Sequence, residues 1–243
     1  MREQNNFVAG IKDGLPICLG YLSVAFAFGI TAVNSGLTIW QAVLISMLNV
    51  TSAGQLAGVP IIVGDGTLFE LGLAQLIINL RYALMSVSLS QKFGKSVRLV
   101  DKFLVSFVNT DEVFAVSSSK GMDVGRNYMY GITLTPFLGW TLGTLLGAVA
   151  GNILPAIIIS ALGIAIYAMF VAIVTPTARK ERPVLLCSLF AIALSCVFNY
   201  VPFLKEHISS GFIIIICTLV ASVVFALVAP LPEEKAQEVE IDG

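Results

Sequence analysis

Residues Gln75–Ser90 read QLIINLRYALMSVSLS. With its flank from Leu68 the stretch is long and apolar enough to span a bilayer, yet Arg81 stands near its middle, with Gln75 and Asn79 on the preceding turns. An unpaired cation at the bilayer centre costs at least about 2.5–3.5 kcal/mol on insertion scales. Arg81 therefore either faces a protein interior with a partner or lies close enough to a surface to snorkel. Everything else in the fold depends on which.

The rest of the chain is equally apolar. Of 243 residues, 57% are hydrophobic and 12% charged, and the mean hydropathy is +0.91. A soluble domain carries about 25% charged residues. Recurring apolar runs of about 18 residues or more specify an all-α polytopic membrane bundle; a barrel would show alternating segments of about ten. The net charge of −1 gives no electrostatic footprint for nucleic acid. Cys18, Cys187, Cys196 and Cys217 lie in apolar runs without CxxC or metal-like spacing and read as reduced packing residues. No metal, cofactor or catalytic nucleophile is expected, so the chain reads as a non-enzyme. Ala25-Phe26-Ala27 sits inside the first apolar run, so no cleaved signal peptide is expected.

Residues 1–14 read as a short amphipathic approach helix, 15–229 as a single transmembrane domain, and 230–243 as a disordered acidic tail. Leu15–Val33 spans, with Pro16 in its first turn. Thr38–Val63 is interrupted by Asn49-Val50-Thr51-Ser52-Ala53-Gly54-Gln55, and Leu68–Ser90 is the span that holds Arg81. Phe103–Ser118 is about 16 residues, roughly 24 Å as a helix and short of a 30 Å core, and it contains Asn109-Thr110-Asp111-Glu112. Four cleaner spans follow: Tyr128–Ala150, Ile153–Val174, Val184–Tyr200 and Gly211–Ala229. Glu70 and Asp65 read as loop residues. Trp40, Trp140, Tyr128, Tyr130 and Tyr200 read as interfacial anchors.

Charge decides the threading. With residues 1–14 in the cytoplasm, the basic loop at Lys92, Lys95, Arg98 and Lys102 belongs there too, although three apolar stretches intervene. One of them must enter and leave on one side, and the interrupted 38–63 stretch is the obvious choice. Residues 103–118 would return likewise. All Lys and Arg residues except Arg81 and Lys205 are then cytoplasmic, as are both termini. The alternative, in which every segment crosses, leaves four basic residues outside. The expected bundle has about six full spans and two broken or re-entrant segments. A possible inverted repeat is hinted at by Pro16-Gly20-Tyr21 beside Pro136-Gly139-Trp140.

Polar, irregular backbone at membrane depth is tolerated only beside protein or a wet cavity. Ser52 is placed to cap the half-helix after the first break, and Asn109 with Glu112 resembles a capping box at the second. Such helix starts suit a carboxylate. Asn49, Thr51, Ser52, Gly54, Gln55, Asn79, Arg81 and Asn109 are the candidate substrate-binding residues. The competing reading is that these side chains only tie neighbouring helices together. Asp111 and Glu112 point about 100° apart on a helix. Asp111 would pair with Arg81 or carry a proton, and Glu112 would be used in capping, unless both lie at the headgroups. Gly139, Gly143, Gly147 and Gly151 form a row of small residues for close helix packing.

Ser52-Ala53-Gly54-Gln55, Asn79-Leu80-Arg81 and Asp111-Glu112-x-Phe114 together resemble the motifs of the AzlC family, the large subunits of branched-chain amino acid exporters. The resemblance covers roughly residues 7–230. It implies a plasma-membrane permease for branched-chain amino acids, exporting them at the expense of the proton gradient. It also implies a small membrane subunit of the AzlD type as partner. Family members often have His where this chain has Tyr82, so any coupled proton would rest on Asp111 or Glu112. An ion channel, an intramembrane hydrolase and a non-transporting structural subunit are the rival classes. No histidine or lysine lies within a span to serve a hydrolase, and no filter-like sequence favours a channel.

Overall fold

The computed structural model describes residues 5–64, 66–121, 123–151 and 181–228, with isolated positions between 153 and 179. The tail 230–243, most of the expected span Ile153–Val174, and Asp65 lie outside the described residues. The described residues form helices and no strands, in keeping with an all-α membrane bundle. They are α1 Phe7–Asn34, α2 Ile39–Leu48, α3 Ser52–Val63, α4 Leu68–Ser90, α5 Leu99–Phe107, α6 Asp111–Ser119, α7 Arg126–Gly151, α8 Arg182–Tyr200, α9 Pro202–His207 and α10 Ser210–Val228. Five of them, α1, α4, α7, α8 and α10, are long and apolar enough to cross a membrane.

α1 is continuous through the expected boundary at residue 14. Asn6 caps it by accepting from the amides of Val8 and Ala9, so the approach helix is the first turns of the span itself. Pro16 consequently falls in the helix interior. Beside α1, and parallel to it, runs α7. A Cβ placed on Gly139, Gly143 or Gly147 would come within 2.6 Å of Cys18 O, 2.5 Å of Leu22 O and 1.9 Å of Phe26 O, respectively. Gly10 and Gly29 of α1 make reciprocal approaches to Tyr128 O and Thr144 O, at 2.2 and 2.3 Å. Lipid tails are as apolar as leucine, so this close dispersion contact, rather than water exclusion, holds the pair together.

The contacts give the direction of every other element. Call the face where α1 begins the near face. Leu89, at the end of α4, shares a buried cluster with Ile17, Tyr128 and Met129 from the first halves of α1 and α7. α4 therefore runs from far to near. Val59 of α3 clusters with Phe28, Ala32 and Ala148 at the far ends of α1 and α7. Hence α2 enters from the far face and α3 returns to it. α5 and α6 do the same from the near face: Tyr130 donates to Asp101 in the first turn of α5, and Lys120, just past α6, pairs with Asp13 at 2.8 Å. Both interrupted segments are re-entrant, the arrangement that the charge pattern favoured over a full crossing. The amide of Gly211 and the hydroxyl of Ser209 donate to Glu70, fixing the start of α10 at the far face.

Three expectations need correction. Glu70 is not a loop residue but lies 3% exposed in the first turn of α4, held by the chain that enters α10. Trp140 and Tyr128 are not exposed anchors: both are buried, Trp140 edge-on to Tyr21 at 5.0 Å and Tyr128 donating to Asp13 at 2.8 Å. The inverted relation does not join the Pro16 and Pro136 segments, which lie side by side in parallel. It joins α1 and its far-face hairpin to α4 and its near-face hairpin. Under that exchange Tyr82 of α4 donates to Thr51 at the first tip at 3.4 Å, and Tyr21 of α1 donates to Glu112 at the second, with Thr110 also in reach.

Replacing Gly147 with Ala forces a methyl group into the α1 backbone and should destabilise the protein by about 1–3 kcal/mol. Gly72→Ala, where nothing lies within 4 Å, should leave stability unchanged or raise it by about 0.5–1 kcal/mol. Thermal unfolding of the two variants in mild detergent checks the contrast.

Candidate functional site

The two hairpin tips bring their breaks together at mid-depth. Each break is made alike, by an amide bonding two residues back: Thr51 N to Asn49 O at 2.9 Å, and Thr110 N to Val108 O at 3.0 Å. Each is followed by a threonine N-cap, Thr51 receiving Gly54 N and Thr110 receiving Val113 N. The capping residues are thus Thr51 and Thr110 rather than Ser52 and Asn109. Glu112 does not close a capping box, because its carboxylate accepts the Tyr21 hydroxyl instead. Each cap takes one first-turn amide, Gly54 N at the first start and Val113 N at the second.

α4 supplies the wall against which the tips rest. Gln75, Asn79, Tyr82 and Ser86 follow one another at four, three and four residues and form one polar stripe. Leu76, Leu80, Leu84 and Val87 make an exposed apolar stripe on the same helix. Gln75 Nε2 donates to Gly54 O at 2.8 Å, while its Oε1 accepts from Asn49 at 2.9 Å and from Asn79 at 3.1 Å. Asn109 donates to Ser86 at 3.0 Å. Gly54 must be small here: a Cβ would fall 2.6 Å from Gln75 Oε1 and 2.7 Å from Thr51 Cγ2.

Arg81 has its partner. Nη2 meets Asp111 Oδ2 at 2.8 Å and donates to the Tyr82 hydroxyl at 3.1 Å, with the guanidinium 4.9 Å from the centre of the Tyr82 ring. It stands about 14 Å of helix from the near end of α4 and about 20 Å from the far end. The cation is paired roughly midway along α4, with the Arg81 side chain 55% and the Asp111 side chain 45% exposed, and of the two options for Asp111 the ion pair is the one formed. Asp111 and Glu112 do diverge, one toward Arg81 and the other toward Tyr21.

Two adjoining cavities open between these elements. One, of about 220 Å³, is polar and is lined by Thr51, Asn79, Tyr82, Asn109 and Thr110, with Phe107 beside them. The other, of about 530 Å³, is largely apolar, with Leu37, Leu44, Ile45, Ile62 and Leu71 on its walls. Leu48 and Asn49 border both. Of the candidate residues, Asn49, Thr51, Asn79 and Asn109 face the polar cavity, and Gly54 and Gln55 face the apolar one. Ser52 and Arg81 line neither; Arg81 reaches the polar cavity only through Tyr82. Gln55 is 1% exposed and donates to Ser46 at 2.7 Å; Ser46 and Thr144 are 2.6 Å apart. That chain ties α3 to α2 and α7.

Tyr82, Gln75, Ser86, Thr110 and Tyr21 were absent from the candidate residues. The four-three-four polar stripe on α4 carried the signal for the first three. Tyr21 and Thr110 meet across 89 residues of chain, and no local pattern announces that contact.

The AzlC protein family matches residues 16–154, a range that includes both hairpins and α4. An inner membrane protein of Escherichia coli, YgaZ, is 29% identical over 79% of this chain and 81% of its own. An uncharacterised membrane protein of Archaeoglobus fulgidus is 30% identical over 78% of this chain and 84% of its own, and one from Helicobacter pylori is 24% identical over 61% and 67%. No solved structure matches the chain. The relatives are membrane proteins, and this chain is a membrane protein of the AzlC family.

Proposed function

We propose that this chain is the translocating subunit of an exporter for branched-chain amino acids. The observation that carries the reading is the pair of adjoining cavities at the meeting point of two re-entrant tips. A polar chamber and an apolar chamber sharing Leu48 and Asn49 suit a small zwitterion with an aliphatic side chain. Broken helices that meet at the bilayer midplane are the usual place for a transporter's site. In transporters built from inverted units, alternating access is rocking or gating of one unit against the other.

The substrate carboxylate is taken to approach Arg81 by way of Tyr82, and the aliphatic chain to occupy the apolar chamber. Export against a gradient by inward proton flow requires the proton and the substrate to exclude each other. A proton and the substrate ammonium competing for one carboxylate do this. Asp111 and Glu112, which follow Thr110 at the second tip, are the carboxylates placed for that role. The basic near face, with Lys92, Lys95, Arg98, Lys102, Lys120 and Arg126, is taken as cytoplasmic, in the plasma membrane. A small AzlD-type subunit is the expected partner.

Arg81→Gln removes the paired cation and should reduce valine efflux to the background rate while the protein remains in the membrane. Normal efflux by that variant contradicts the assignment. Radiolabelled valine efflux from cells with and without the small subunit tests the partnership. Full flux is expected only with both chains, and flux from this chain alone would remove the partner from the account.

A further inference from the structure

On the wall of the larger cavity, next to the polar one, the orientation of one amide is fixed by the backbone. The Gly54 carbonyl can only accept, so the group Gln75 presents to it is Nε2. Gln75 Oε1 therefore faces the other way, and what Asn79 offers it must be Nδ2. The Oδ1 of Asn79 is left buried with no donor. Asn109 is 3% exposed, spends its Nδ2 on Ser86, and likewise leaves Oδ1 buried without a partner. Both residues line the same 220 Å³ cavity. Buried carbonyl oxygens without donors are costly and uncommon, and each calls for an explanation.

We infer that Asn79 Oδ1 and Asn109 Oδ1 form the subsite for a primary ammonium group, the head of an amino acid whose side chain enters the adjoining apolar cavity. An ammonium brings three donors and no acceptor, which is what two bare oxygens lack. A carboxylate at the same place would oppose oxygen to oxygen. The inference rests on the amino-acid reading above and refines it: neutral oxygens set where the ammonium sits, and a neighbouring carboxylate governs its release.

The test is equilibrium binding to the full-length chain, co-purified with its small membrane subunit, in lipid nanodiscs, with L-valine and with 3-methyl-2-oxobutanoate, which keeps the skeleton and carboxylate but lacks the ammonium. Valine should bind at least about tenfold more tightly than the oxo acid. Asn79→Leu and Asn109→Leu should each weaken valine by about tenfold and leave oxo-acid binding unchanged. Asn109→Asp, which keeps an acceptor in place and can take a bond from Ser86, should bind valine as tightly as the wild type or more so. Equal binding of the two ligands, or wild-type valine affinity in both Leu variants, overturns the subsite and leaves the transporter reading standing. Affinity for sodium lost in the Leu variants with valine binding unchanged reassigns the oxygens to a cation site and also overturns it. A folded wild-type protein that binds no valine defeats the amino-acid reading and the subsite with it.

Discussion

Inside a bilayer each backbone N–H and C=O needs a partner from the protein, because no water is there to supply one. This chain breaks two helices at that depth, and much of the surrounding structure provides for the breaks. Thr51 and Thr110 each take one amide in the first turn of α3 and of α6. Gln75 reaches across from α4 to the Gly54 carbonyl and to Asn49. Tyr82 and Tyr21 each hold the tip of the opposite repeat. A continuous helix would need none of these side chains.

The breaks are useful only if something rigid presents them to one another. The parallel pair α1 and α7 is that frame. Its glycines bring two backbones into direct contact along their length, and α2 leans on it through Ser46 and Thr144. Asp13, Lys120 and Tyr128 pin the second hairpin to the same frame at the near face. Glu70, Ser209 and Gly211 tie the start of α4 to α10 at the far face. The two cavities lie where these restraints leave space between the tips.

Much of this was legible in the sequence, because it rests on local or additive signals. Apolar runs marked the spans, the glycine row marked a close-packing face, and the basic loop at 92–102 favoured a 38–63 stretch that turns back. Asn49, Thr51, Asn79 and Asn109 were found as polar residues in an apolar setting. What was not legible depends on partners far along the chain. Ser52 and Asn109 looked like caps because an N-cap shows in sequence only to within a residue, and here Thr51 and Thr110 take the position. Glu70 looked solvated because the donors that bury it follow about 140 residues later. Tyr21 stood out only in the Pro16-Gly20-Tyr21 echo, although its hydroxyl meets Glu112 at the second tip. Arg81 was correctly marked as the residue to explain, yet its place is behind Tyr82 rather than in the cavity wall.

The account stands on the two hairpins entering from opposite faces and turning back. Single cysteines at Ser35 and Leu68 flank the first hairpin, and at Lys95 and Ser119 the second. In a background lacking the four native cysteines, their labelling by a membrane-impermeant maleimide in right-side-out and inside-out vesicles measures this directly. The structure predicts that Ser35 and Leu68 label together from one side and Lys95 and Ser119 together from the other. Labelling of Ser35 and Leu68 from opposite sides would make α2 and α3 a crossing segment and contradict it.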